Sequence, residues 1–179
     1  MIFTITCDNG VCNNLRRNKD LDQLKEWHNQ GLIEIQVTDA IFADILGGQL
    51  CSLDQLNCKS KSNAKKRTEL TQEYKLNPGG LVLGSPTLGL LGVNKFGEDP
   101  RFEEIKDIVF GNNYDKEKHF LDVRHLALHL EAGNDFFITF DEKHITSKQD
   151  DLIKIGINPK TPKEFISFFK NHLESQKSS

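Results

Sequence analysis

The chain contains no run of about 18 apolar residues, and its opening, Met1 to Cys7, has neither a basic start nor a cleavage site. Neither a membrane span nor a signal peptide is expected, which points to the cytoplasm. No C-x-x-C occurs: Cys7 and Cys12, and Cys51 and Cys58, are separated by four and six residues. These spacings argue against a structural zinc site, and reduced thiols fit a cytoplasmic protein. Cys7, on an apolar segment, reads as a small core residue. The glycine-rich stretch Gly84 to Gly92 lacks a Gly-Lys-Ser/Thr ending, so a P-loop is excluded. Internal repeats are absent, as is low complexity outside the polar tail Glu174 to Ser179, which is expected to fray. Basic charge is not in excess either. A net charge of −3 argues against binding nucleic acid through a wholly basic surface, but is compatible with a nuclease whose acids gather in one cleft.

At 179 residues, with 37% hydrophobic content and 12 phenylalanines, the chain can build the core of one domain spanning residues 1–179. Its pattern is α/β. Ile2 to Cys7 reads as a buried strand and is followed directly by Asp8. A helix is predicted from about Lys19 to Gln30, with Leu21, Leu24 and Trp27 as its apolar positions and Gly31 as its stop. Leu32 to Val37 follows as a strand, with Thr38 as N-cap of a further helix that carries Asp44 beside Ile41, Phe42, Ile45 and Leu46. Phe120, Val123, Ala127 and Leu130 recur at helical spacing around Asp122, and Gly133 suits a left-handed C-cap. Phe136 to Phe140 is a predicted buried strand, with Asp141 immediately after it.

In a parallel α/β sheet, side chains just past the carboxyl ends of strands line the ligand crevice, so Asp8 and Asp141 are expected there together. Asp44 and Asp122, within helices, complete a set of four acids. Taken singly, each is more often a cap or turn residue, and Asp8 could simply open a turn with Asn9 and Gly10. Taken together they point elsewhere, because clustered carboxylates repel unless a proton or a hard cation lies between them. Mg²⁺ or Mn²⁺ is the natural occupant, and a pair of such ions serves phosphodiester hydrolysis.

The order of these residues, Asp8-Asn9 after the first strand, Thr38-x5-Asp44 after the second, and Asp122-x4-Ala127…Gly133-x5-Thr139-Phe-Asp141, resembles the PIN-domain nucleases. A short last strand, Gly156 to Pro159, and a capping box with proline at its first helical position, Thr161-Pro-Lys-Glu164, extend the likeness. It covers about 110 residues by motif placement. The resemblance implies a three-layer α/β/α sandwich with a central parallel sheet, and metal-dependent endoribonuclease activity on RNA. It makes Asp8, Asp44, Asp122 and Asp141 the catalytic and metal-binding acids, supported by Asn9 and Thr139. Many members are toxins of toxin–antitoxin pairs, which would add a protein antitoxin as partner. Dimerisation, common in the family, has no motif behind it here. The chain departs from the family in three places. An aspartate stands at position 44 where glutamate is usual, making Asp39 a rival. Phe140 stands where a basic residue often precedes the last acid. Residues 46–114 form an insertion that the small toxins lack.

Within that insertion, Asn63 to Tyr74 and Pro100 to Phe110 are predicted helices, and Asn77 to Gly80 a turn. Its one dense basic group, Lys59, Lys61, Lys65, Lys66 and Arg67, is either a grip on the RNA backbone or a solvated face, and charge runs are more often the latter. His119, Asp122, His125 and His129 share one helical strip. It could hold a transition metal, but His119 and His129 read better as the polar face of an amphipathic helix. His125 is a supporting neighbour of Asp122 or a phosphate contact, and His144 a weaker case of the same kind. Two other readings stand beside the nuclease. One is a degenerate PIN-like module binding RNA or a protein partner without cutting. The other is a phosphotransfer protein with Asp8 as nucleophile, weakened because no second aspartate follows two residues on.

Overall fold

The computed structural model describes residues 2–15, 17–38, 75–77 and 100–177. In chain order these form β1 (Phe3–Cys7), α1 (Asn9–Leu15), α2 (Asp22–Asn29), β2 (Ile33–Thr38), β3 (Lys75–Asn77), α3 (Pro100–Val109), α4 (Lys116–Ala132), β4 (Phe136–Ile138), α5 (Gln149–Lys154), β5 (Pro159–Lys160) and α6 (Pro162–Lys177). The strands make one parallel sheet in the order β3-β2-β1-β4-β5. β1 is therefore flanked by β2, with Ile5 opposite Ile35, and by β4, with Cys7 opposite Ile138.

Alternation along the strands divides the molecule. Ile5 and Cys7, Ile33, Ile35 and Val37, and Phe136 and Ile138 project to one face, where they pack against Val11, Cys12 and Leu15 of α1, Leu24 and Trp27 of α2, and Phe165 and Phe169 of α6. On the opposite face Phe137 meets Ile105 and Val109 of α3, Val123, Leu126 and Ala127 of α4, and Leu152 of α5. Helices thus cover both faces of the parallel sheet, an arrangement compatible with a three-layer α/β/α sandwich.

The second face is unusual because β1 and β2 present it with Thr4, Thr6, Glu34, Gln36 and Thr38 rather than aliphatic residues. Buried polar groups must find partners. Thr6 Oγ1 is bonded to His129 Nδ1 at 2.9 Å and accepts from Asn134 Nδ2 at 2.7 Å. Asn134 Nδ2 also donates to Gln36 Oε1 at 3.0 Å, and Thr38 Oγ1 lies 2.6 Å from His125 Nδ1. His129 is fully buried and His125 nearly so. His129, expected on the polar face of an amphipathic helix, is instead buried, because that face of α4 packs on a polar stripe of the sheet.

Several element boundaries differ from the sequence expectation. Thr38 is the last residue of β2, and the helix it is expected to cap lies outside the described residues, while the helix predicted from Lys19 begins as a 3₁₀ turn, Lys19–Leu21, before α2. β4 stops at Ile138, and the last strand is Pro159–Lys160 rather than Gly156 to Pro159. β3 is a strand that the sequence pattern does not announce. α3 agrees with the Pro100 to Phe110 expectation to within a residue, and α4 ends at Gly133 in the left-handed conformation, φ 66°. The capping box is formed: Thr161 N–H donates to Glu164 Oε2 at 2.8 Å, and Glu164 N–H to Thr161 Oγ1 at 3.2 Å. Cys7 is a buried free thiol, as is Cys12. Among the described residues no helix is long and apolar enough to cross a membrane. Asn77, expected to open a turn, ends β3, and the rest of that turn to Gly80, the helix expected at Asn63 to Tyr74, Cys51, Cys58 and the glycine-rich stretch lie outside the described residues.

Candidate functional site

β1 and β4 are adjacent and parallel, so Asp8 and Asp141 emerge at the same edge of the sheet. Asp8 N–H donates to the Ile138 carbonyl at 3.0 Å, prolonging the ladder by one bond. Its carboxylate is held on both oxygens. Oδ1 accepts from Val11 N–H at 2.7 Å, the geometry of an N-cap on α1, and Oδ2 accepts from the Thr139 hydroxyl in a short hydrogen bond. Thr139 Oγ1 in turn accepts the Asp141 N–H at 3.0 Å. One fully buried hydroxyl therefore ties the two strand-end acids together.

Asp141 is held from its own loop. His144 N–H donates to Oδ1 at 2.9 Å, and His144 Nδ1 lies 3.1 Å from Oδ2. The His144 ring stands 5.5 Å from Phe110 and 6.1 Å from His119. His119 stacks on Phe110 with centroids 4.0 Å apart and planes within 7°, and its Nδ1 accepts the Asp115 N–H at 3.0 Å. His119, expected on a solvated face, is thus half-buried in a ring cluster at the start of α4.

The third predicted acid, Asp122, lies on α4. His129 meets Thr6 within β1, and His125, one turn earlier, meets Thr38 at the end of β2. Progress toward the helix N-terminus is therefore progress toward the carboxyl edge of the sheet. Asp122, another turn back on α4, is half-buried. His125 serves by bonding Thr38, which sets the register of α4 on the sheet. Asn9 lies in α1, where its Oδ1 accepts from Asn13 Nδ2 at 2.7 Å.

Asp44, its rival Asp39, and Lys59, Lys61, Lys65, Lys66 and Arg67 lie outside the described residues. Among the described residues, no three His, Cys, Asp or Glu side chains converge closely enough to hold a metal ion. The donor chemistry of Asp8 and Asp141 nonetheless fits Mg²⁺ or Mn²⁺, since both offer hard carboxylate oxygens at one edge. An open cleft of about 460 Å³ borders the next stretch of chain, lined by Glu142, Thr146, Thr161, Lys163, Glu164 and Ser167 and by none of the candidate acids.

Two features escape a reading of the sequence alone. Asn134 and Asp135 lock the start of β4: Asp135 Oδ2 accepts from Thr4 N–H at 2.7 Å and from Thr4 Oγ1 at 2.9 Å. The alternating Thr4-x-Thr6 is the available signal, since regular polar positions in a buried strand require polar partners. The other is Phe140, notable in the sequence only for not being basic, which is 43% exposed beside the acids.

Compared with family models, with curated proteins and with solved structures, the chain matches none.

Proposed function

We propose that this chain is a PIN-like endoribonuclease dependent on Mg²⁺ or Mn²⁺. The observation that supports this reading best is the pairing of Asp8 and Asp141 through Thr139 at the carboxyl edge of adjacent parallel strands. The place of Asp122 on α4, one turn before His125, which bonds Thr38 at the end of β2, supports it further. When bound, the metal supplies an activated water and stabilises charge on the phosphate oxygens. The chain's own residues orient the acids. Thr139 and the Val11 N–H aim Asp8, and the His144 N–H aims Asp141, so that carboxylate oxygens are preorganised before substrate arrives.

The test is cleavage of a labelled single-stranded RNA with Mn²⁺ or Mg²⁺, with EDTA, and with Asp8→Asn and Asp141→Asn proteins purified identically. Metal-dependent cutting that disappears in both variants is the expected result. Absence of cutting by the wild type on several RNAs, with no metal bound in a titration, would select a second reading instead, a PIN-like module that binds RNA or a protein partner without cutting.

A further inference from the structure

We infer that Phe140 is a stacking platform for a nucleobase of single-stranded RNA, seated beside the acids at the sheet edge. The inference rests on the RNA-directed reading of that edge and names how substrate is held there.

Phe140 lies between Thr139, which bonds Asp8, and Asp141, which bonds Thr139, so its backbone belongs to the link between the two acids. Its side chain nevertheless joins neither core and is 43% exposed. An exposed benzyl group gains little from folding, whereas its neighbours Phe137 and Ile138 are fully buried. On its other side stands Gly10. A Cβ there would lie 3.8 Å from Phe140 Cδ2 and 3.3 Å from Asp8 Oδ1. Gly10 sits within α1 and is not among the positive-φ glycines, so the backbone does not demand glycine. Its missing side chain leaves open the surface between the Phe140 ring and the Asp8 carboxylate.

The electrostatics define the occupant. An edge carrying Asp8 and Asp141 on a chain of net charge −3 repels a bare phosphate backbone. A base has an uncharged π-face, and stacking on an aromatic ring adds affinity without cation contacts and without strong base preference. Unpaired bases expose such faces, whereas duplex RNA keeps them within its stack.

The test uses the full chain and a short fluorescein-labelled single-stranded RNA. Its dissociation constant is measured by anisotropy in EDTA and in Ca²⁺, alongside cleavage in Mn²⁺. Phe140→Leu keeps bulk and loses the π-face, and Phe140→Tyr and Phe140→Trp keep it. The expected result is binding weakened about tenfold in Phe140→Leu and near wild type in the two aromatic variants. An oligonucleotide series with one abasic site moved along the strand adds a second readout. One abasic position weakens the wild type and leaves Phe140→Leu unchanged. Equal affinity of Phe140→Leu and wild type, or an abasic penalty identical in both, overturns the inference, as does failure of the wild type to bind RNA. Cutting without dependence on Phe140 leaves the nuclease reading standing and removes this one. Stacking without cutting does the reverse.

Discussion

Thr139 is the smallest part with the widest reach in the site. Its hydroxyl is fully buried, donates to Asp8 and accepts from the Asp141 backbone, so one oxygen sets two acids that are 133 residues apart in the chain (141 − 8). Thr139→Val keeps the shape and deletes both bonds. The variant is expected to lose about 1–3 kcal/mol of stability, because the Asp8 carboxylate and the Asp141 N–H are left without that partner. On the metal-dependent reading, affinity for Mn²⁺ is expected to fall about 10–100-fold, the usual effect of removing a group that orients a ligand. Denaturant titration and isothermal calorimetry measure the two, with Thr139→Ser as the variant that restores both. Unchanged Mn²⁺ affinity in Thr139→Val would show that the link orients nothing. The sequence marks Asp8, Thr139 and Asp141 through their places at strand ends. It does not reveal that Asp8 both caps α1 and bonds Thr139, because one contact needs α1 and the other needs the chain after β4.

At the scale of the element, α4 is docked on the sheet by His125 and His129 as well as by its apolar residues. Burial holds the His129 imidazole down to about 4, against an ordinary value of 6.5, with Asp135 a smaller influence in the opposite direction. In the unfolded chain the ring takes up its proton near pH 6.5, whereas in the folded chain it does so only near pH 4. Its contribution to stability is therefore complete above pH 6.5 and is lost progressively as pH falls toward 4. Between about pH 7 and pH 5 the loss amounts to about 2 kcal/mol. Urea unfolding at both pH values, in wild type and in His129→Asn, isolates the effect. An equal pH slope in the two proteins would contradict it. The C-terminal end of α4 is legible because capping chemistry is local and Gly133 closes the last turn, whereas its start, where Asp115 accepts from Glu117 N–H at 3.0 Å, is missed by the apolar pattern. The Thr161 and Glu164 box at the start of α6 is local for the same reason. The Thr161 backbone N–H, followed by its hydroxyl, lowers the Glu164 carboxyl below its ordinary value, so this cap weakens on acidification. β3, three residues long, is not legible, and the two-residue β5 is legible only in rough position, because their pairing partners are remote and their own patterns are short.

For the molecule as a whole, charge and topology act together. A chain of net charge −3 that engages RNA must concentrate its cations, and the sequence supplies one dense group: Lys59, Lys61, Lys65, Lys66 and Arg67. On the ribonuclease reading, replacing all five by glutamine is expected to flatten the dependence of log K on log salt by about 0.7 for each phosphate no longer neutralised, while Phe140→Leu leaves that slope unchanged. Anisotropy titrations across a salt series give the slopes, and a quintuple variant with the wild-type slope would assign those residues to solvent. The sequence by itself determined what is local or periodic: the α/β alternation, the extent of α3, the glycine and capping-box helix ends, the burial of Cys7, and the position of Asp8 directly after a strand. These follow from dihedral preference, side-chain period and hydrogen bonds spanning a few residues, none of which needs the rest of the chain. Only the tertiary structure decided the strand order β3-β2-β1-β4-β5, the hydroxyl joining Asp8 to Asp141, the polar seam of Thr6, Gln36, Thr38, His125, His129 and Asn134, and the exposure of Phe140 beside Gly10. Each of these depends on which distant segments share a sheet edge or a helix face, and that is settled by packing the whole core at once.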